Sequence, residues 1–525
     1  MHTQSLNFNL VLVCVLFSAD QSVKTKSSLL DVFVKVHTDR AVQVVDDRFV
    51  GVTLDTSLIA DGWGKFNFTS QKLINLAREL SPTFVRVGGT AADRLVFDPL
   101  KNTVNKANSY PLDDDGSVQF LRKFYMSAKD WDLLNTFTTE VGWDLIFDLN
   151  VLLRKHGRWN PSNAVQLLTY SITRGYNVAG FELGNEPDSF HHVFNVTVTP
   201  QQLADDVFTL QNILRKKFPY FKSSLVVGPD TTQVKKKRSY EYLQQFLQSE
   251  PGQKVDAATW HHYYVNGRIA TLQDFIDPSI LESLKSEIIL ATDLTRRVAM
   301  GTPVWLGETS SAYGGGAKGL SDVYVAGFMW LDKLGLSALF GLKRVLRQSF
   351  YKGLYSLLDY HTLDPNPDYW LTLLYKRLVG SAVFNATSTD QSIAFRVYAH
   401  CTKTHNVWGY PAGSVTLYVL NLHSESVNMS LPQFDDQEVD LFLLTPDGDQ
   451  SLKSRFVLLN DKRLELTADS KLPVLEPQKL HSSVIFPAFS FGFVVVPQAQ
   501  VKSCQTLSNI SVEKERRRDD FVLSK

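Results

Sequence analysis

Val178-Ala-Gly-Phe-Glu-Leu-Gly-Asn-Glu-Pro187 decides the fold. Its apolar head reads as a buried parallel strand, and Gly-Asn-Glu-Pro stops that strand and leaves Glu186 where it opens into a loop. Pro303-Val-Trp-Leu-Gly-Glu-Thr309 has the same design and delivers Glu308. Core-facing strand positions favour branched apolar residues, so stability explains such carboxylates poorly; the C-terminal rim of a (β/α)8 barrel is where that fold keeps its chemistry. Outward from these two stretches, strand and helix patterns alternate eight times. The pattern predicts strands at Arg48–Leu54, Thr83–Val87, Trp143–Leu149, Val178–Leu183, Ser224–Gly228, Ala257–Tyr263, Pro303–Gly307 and Arg344–Gln348. Helical patterns fill the gaps, for example Ser70–Leu80, Pro200–Lys217 and Asp322–Leu334. The expected fold class is therefore α/β, a (β/α)8 TIM barrel over 46–380, with Glu186 after the fourth strand and Glu308 after the seventh.

Beyond Gly380 the period shortens to alternating stretches, Ala394–His400, Val415–Asn421 and Val439–Leu444, separated by turn residues. A β-sandwich over 381–504 is the natural reading. The run Ser483–Val496 is too short for a membrane span and contains Pro487, so it reads as the last core strands. A chain of 525 residues with 44% hydrophobic residues has room for both domains, since an α/β barrel alone needs ~250 residues. Residues 1–19 end in a short apolar run closed by small residues, which reads as a secretory signal, although no Lys or Arg precedes it. Residues 505–525 carry Glu513-Lys-Glu-Arg-Arg-Arg-Asp-Asp520 and read as a disordered tail. Sequons begin at Asn67, Asn195, Asn385, Asn428 and Asn509, glycosylation acceptors in a secreted chain. A formal net charge of zero argues against nucleic acid, or any polyanion, being held by bulk charge, so basic residues must act locally.

Two carboxyls on one rim are the equipment of glycoside cleavage. One is held protonated to supply the leaving oxygen, and the other is ionised to attack or stabilise an oxocarbenium-like sugar. Like charges close together push two pKa values apart, which lets both forms coexist near neutrality. A lone glutamate at a rim is more often half of an ion pair, but Asn185 beside Glu186 is a natural donor to a sugar 2-hydroxyl. His261 and His262 raise the question of a metal. Adjacent strand residues point to opposite faces, so the two cannot share an ion; one lines the site, the other packs, and no metal or cofactor is expected.

Three segments carry a resemblance that spans nearly the whole chain after its leader: Phe181–Phe190, Thr259-Trp-His-His-Tyr-Tyr-Val-Asn-Gly-Arg268, and Val304–Ala317 running on through Ala326–Ala338. They resemble the heparanase family, endo-β-glucuronidases that cut heparan sulfate. The resemblance implies Glu186 as acid/base and Glu308 as nucleophile, with carboxyls ~5 Å apart and retention of configuration. It implies that Tyr263 hydrogen-bonds the nucleophile and that Asp55, Thr90, Gln233, Lys235, Gly353 and Tyr355 contact sugar. The Gly314-Gly315-Gly316 loop offers backbone amides to a carboxylate or sulfate, and Arg268 offers a guanidinium fork. Lys235-Lys-Lys-Arg238, Lys318 and Lys352 are further basic candidates on rim loops. With Cys14 in the leader, Cys401 and Cys504 remain, and the family's matching positions are bridged. The strand in 29–45 is expected to cross into the sandwich. Relatives excise a segment after the second barrel strand to give a light and a heavy chain; the corresponding stretch here, 100–128, is shorter, with Arg122 and Lys123 in place of the family's lysines. A secreted or lysosomal chain, already active uncut, is the expectation.

Overall fold

The computed structural model describes residues 29–101, 123–481 and 483–505. The signal over 1–19, Arg122 with most of the 100–128 loop, the tail beyond Gln505 and the sequon at Asn509 lie outside the described residues.

Eight parallel strands close into a barrel: β1 (Val50–Asp55), β2 (Thr83–Gly88), β3 (Trp143–Leu149), β4 (Gly180–Leu183), β5 (Leu225–Thr231), β6 (Ala257–Asn266), β7 (Val304–Tyr313) and β8 (Arg344–Arg347). Each strand pairs with the next, and β8 closes on β1 through Val345 opposite Val50. Side chains alternate in and out with period two. Phe84, Ile146, Val227, Ala257, Trp305 and Leu346 form one apolar cluster that plugs the barrel's lower half. Two residues further along the same faces stand Arg86 on β2 and Asp148 on β3, and β4 carries Glu182 at that level. The floor of the barrel is thus apolar and the layer under its rim is charged.

The helices start and stop where the sequence supplies caps. Ala128–Val141 opens on a Ser127/Asp130 capping box and ends at Gly142, and Pro200–Asn212 opens on Thr199 and Gln202 with proline in the first turn. The helix expected over Pro200–Lys217 changes at Ile213 into a wider π turn. The one expected over Asp322–Leu334 runs instead from Ala326 to Leu339.

The second domain is a sandwich, joined by a strand from the far end of the chain. In Leu29–His37, the first half pairs parallel with Ser426–Ser430 and the second half pairs antiparallel with Val379–Ser388. One strand therefore belongs to both sheets. Val32, Val34, Phe384, Leu417, Met429 and Val494 are among the residues that fill the space between them. The outer face of the larger sheet is aromatic, with Tyr398, Tyr418 and Phe491, and packs onto the barrel helix Ala326–Leu339. Cys401 and Cys504 form the disulfide. Among the described residues no helix is long and apolar enough to cross a membrane.

Candidate active site

Glu308 lies on β7, 8% exposed, at the foot of a cleft of about 370 Å³ on the C-terminal rim. Arg86 donates Nη1 to its Oε2 at 2.9 Å, and the Tyr263 hydroxyl donates to its Oε1 at 2.6 Å. Burial first, then the Glu308 charge, hold the Tyr263 phenol well above its usual pKa, so it remains a proton donor. Both oxygens of Glu308 are thereby held in place by donors.

Glu186 follows β4, three strands from β7 around the barrel, on left-handed backbone, φ 53°, just before Pro187. Such a conformation is costly for a residue with a side chain, and strain of this kind collects at functional sites. Its amide donates to Asp230 O at 3.0 Å, and its Oε1 lies 3.0 Å from His261 Nδ1. The other imidazole nitrogen faces Asp230 Oδ1 at 3.3 Å. Burial alone would push His261 down, but Glu308, Asp230 and Glu186 outweigh it and raise its pKa to about 10. Both ring nitrogens thus face carboxylates, which favour the protonated imidazole.

Arg86 binds the two halves of the site together. It is fully buried; Nε donates to Glu182 at 2.5 Å, Nη2 donates to Asn185 Oδ1 at 2.9 Å, and Asp148 and Asp230 lie within 4 Å. Burial opposes its charge, yet the surrounding carboxylates raise its pKa well above the usual value. Burial in turn raises Asp148 strongly, Glu182 to about 8 and Asp93 to about 7. Asp93 accepts from Asn185 N at 3.0 Å and Val151 N at 3.3 Å, which fixes the Asn185–Glu186 turn.

The cleft brings together Asp55, Thr90, Glu186, Gln233, His261, Tyr263, Glu308, Gly314, Gly315 and Tyr355 of the residues read from sequence. Gly314 and Gly315 have φ of 80° and 88°, a backbone that glycine adopts freely. Gly353 does not line the cleft; a side chain there would meet the Tyr355 ring at 2.6 Å, so it seats that ring. Asn185 lies behind the cleft on Arg86. The basic positions differ most. Lys235 pairs with buried Glu287 at 3.3 Å, and Lys236, the next residue, lines the cleft instead. Lys352 pairs with Asp61, while Arg268 and Lys123 are exposed outside the lining. His261 lines the site and His262 packs outside the barrel against Lys333 and Glu287, as the alternation demands. Of the sequons, Asn67, Asn195 and Asn385 are exposed, and Asn428 is half-buried with its amide on Asp31. Arg86, Asp148, Glu182, Asp230 and Gln348 were not singled out from sequence, although each is a polar residue at or beside the end of an apolar strand.

The profile of "Glycosyl hydrolase family 79, N-terminal domain" matches residues 31–335. The chain belongs to glycosyl hydrolase family 79. Within this family of glycoside hydrolases it is 39% identical over 506 residues to the heparanase of Bos taurus, covering 89% of this chain and 91% of that one. It is 35% identical to the hyaluronoglucuronidase of Hirudo nipponia, covering 90% and 99%. A solved 4-O-α-L-rhamnosyl-β-D-glucuronidase from Fusarium oxysporum superposes with a TM-score of 0.64 at 17% identity, over 88% of this chain and all of that one, a likeness of fold.

Proposed function

We propose that this family 79 chain is a retaining endo-β-glucuronidase that hydrolyses internal glucuronosyl linkages of heparan sulfate, with Glu308 as nucleophile and Glu186 as acid/base. The observation that carries the reading is the unequal treatment of two carboxyls facing one cleft. Glu308 receives two hydrogen bonds, from Arg86 and Tyr263, and is nearly buried, while Glu186 has 26% of its side chain exposed and one imidazole contact. In the first step a Glu308 oxygen bonds to the anomeric carbon, the bond to the glycosidic oxygen breaks, and that oxygen takes the Glu186 proton. In the second, water gives a proton to Glu186, its oxygen bonds to the anomeric carbon, and the Glu308 ester is released. His261, between Glu186 and Asp230, is placed to hydrogen-bond Glu186 as it gives and takes its proton. Asp55, Thr90, Gln233, Tyr355 and the Gly314–Gly315 amides take the sugar, and Lys236 supplies a local cation. The disulfide suits a secreted or lysosomal setting.

The bovine relative carries the name heparanase and the leech relative the name hyaluronoglucuronidase. The decisive experiment is incubation with heparan sulfate, hyaluronan and chondroitin in parallel, with products sized. Internal fragments from heparan sulfate alone are expected; fragments from hyaluronan alone would replace the substrate assignment. NMR of the first-formed product from a β-glucuronide should show the β-anomer, and an initial α-anomer rules out retention. Glu308→Gln should abolish turnover and Glu186→Gln should lower it about 10²–10⁴-fold, both with the fold intact.

A further inference from the structure

The third rim loop carries a charge pattern that the cleft does not use. After β3 the chain enters a small hairpin in which Arg154 is opposite Trp159 and Lys155 is opposite Arg158. His156 and Gly157 at its tip have φ of 51° and 76°, the two-residue turn whose twist suits a hairpin. The hairpin is fixed to the barrel. Arg154 donates to Asp206 Oδ2 at 2.6 Å and to Gly157 O at 2.8 Å, and the Trp159 amide donates to Asp206 Oδ1 at 3.1 Å. Trp159 is buried, with Nε1 on Asn150 O at 3.0 Å. Lys155 and Arg158, in contrast, are exposed. Like charges directly opposite across an antiparallel pair are destabilising. The hairpin's ion pair among the described residues is Arg154 with Asp206, which leaves neither of the two outer cations neutralised. A rigid turn that holds two cations side by side, about 5 Å apart at their β-carbons, presents a fork for an oxyanion.

We propose that Lys155 and Arg158 form an outlying anion subsite that grips a sulfate or carboxylate of a glycan chain running out of the cleft past Glu186. The hairpin's loop packs directly against the loop that carries Glu186. Gly184 N donates to Leu149 O at 3.0 Å, and Asp93 accepts from both Val151 and Asn185. This inference rests on the glucuronidase reading for its ligand, but its charge geometry is separate from the catalytic residues. A chain too short to leave the cleft does not reach the hairpin.

The test compares long heparan sulfate with a small aryl glucuronide, using Lys155→Ala/Arg158→Ala. A control, Lys216→Ala/Lys217→Ala, removes the same charge from exposed residues in the turn after the Pro200–Asn212 helix. The hairpin variant should raise KM for the long chain about three- to tenfold more than KM for the aryl glucuronide, as two exposed charge contacts allow. The difference should shrink with salt, and the control should show none of it. An equal effect of the control variant would reduce the hairpin to bulk charge and overturn the proposal. If the wild-type protein turns over neither substrate, the enzymatic reading fails, and the salt needed to elute wild type and both variants from immobilised heparin still decides: earlier elution of the hairpin variant alone supports the subsite, and co-elution of the hairpin variant with wild type refutes it.

Discussion

Arg86 contacts Glu182, Glu308 and Asn185 through three different nitrogens, in a place no solvent reaches. A buried cation of this kind is held by its partners, and removing any one of them leaves charge uncompensated. Tyr263 is different, because it is neutral and gives one hydrogen bond to a charged acceptor. Such a bond is worth about 1.5–3 kcal/mol, which corresponds to roughly 10–100-fold in rate. Tyr263→Phe should lower kcat/KM by that factor with little change in thermal stability; an unchanged kcat/KM would show that Arg86 alone holds Glu308. At this scale the sequence was legible where a charge followed an apolar run beside glycine or proline, as for Glu186 after β4 and for Glu308, which stands within β7. Arg86 in Thr83-Phe-Val-Arg-Val-Gly88 obeys the same logic, but a single charge inside a strand does not say whether it faces the barrel axis or a helix. Lys235 and Lys236 show the limit for loops. Once the strand ends there is no period to say which neighbour points into the cleft, and the structure gives the cleft to Lys236.

The helix Ala326–Leu339 joins the two domains and explains a second limit. Residues Ala326–Ala338 are all buried, so it has no polar face, and Val325 offers no side-chain cap. Periodicity therefore could not mark its start, whereas seven of the eight barrel strands, continuous apolar runs bounded by turns, were placed to within three residues; β7 runs on from the expected end at Gly307 to Tyr313, so Glu308 lies within the strand and not after it. Neighbouring side chains on this helix serve opposite domains. Asp332 takes Arg396 and the Tyr398 hydroxyl of the sandwich, and Lys333 donates to Thr309 and Ser310 of β7. Gly327 and Gly335 let the aromatic sheet approach; a β-carbon at Gly335 would stand 2.4 Å from the Tyr398 ring. Alanine in place of glycine gains up to ~1 kcal/mol of helix propensity, while overpacking a close-packed contact costs about 1–3 kcal/mol. Gly335→Ala should therefore lower stability by about 1–2 kcal/mol, read from the urea midpoint, with kcat of the folded fraction retained. A midpoint equal to or above wild type would mean that the domains re-seat freely.

The two ends of the described chain meet in the sandwich. Leu29–His37 spans both sheets, Ser503 donates to Thr38 O at 3.0 Å, and Cys504 is bonded to Cys401. Barrel and sandwich thus form a single closed body whose stability answers to the charges under the rim. Four of those groups, Asp93, Asp148, Glu182 and His261, keep a proton when folded that they would lose when unfolded. Asp93 is raised to about 7, Glu182 to about 8 and His261 to about 10, against ordinary values of 3.8, 4.5 and 6.5. For Asp93 and Glu182 the dominant cause is burial; for His261 the surrounding carboxylates overcome it. Between pH 5 and 8 these groups bind more protons in the folded chain than in the unfolded one, and each contributes stability that falls as pH rises, by up to about 1.4 kcal/mol per pH unit in its window; His262, His400, Lys333 and Lys376, whose pKa values burial lowers, contribute in the opposite sense. Asp230 does likewise. Arg86 and His261 overcome its burial and hold it below 3.8, so its contribution is present above that value and is lost only on strong acidification. At constant ionic strength, Tm of wild type relative to that of Glu182→Gln, which cannot ionise, should fall from pH 5 to pH 8, because only wild type has the Glu182 proton to lose. Parallel Tm profiles for wild type and Glu182→Gln across that interval would show that Glu182 does not store this proton.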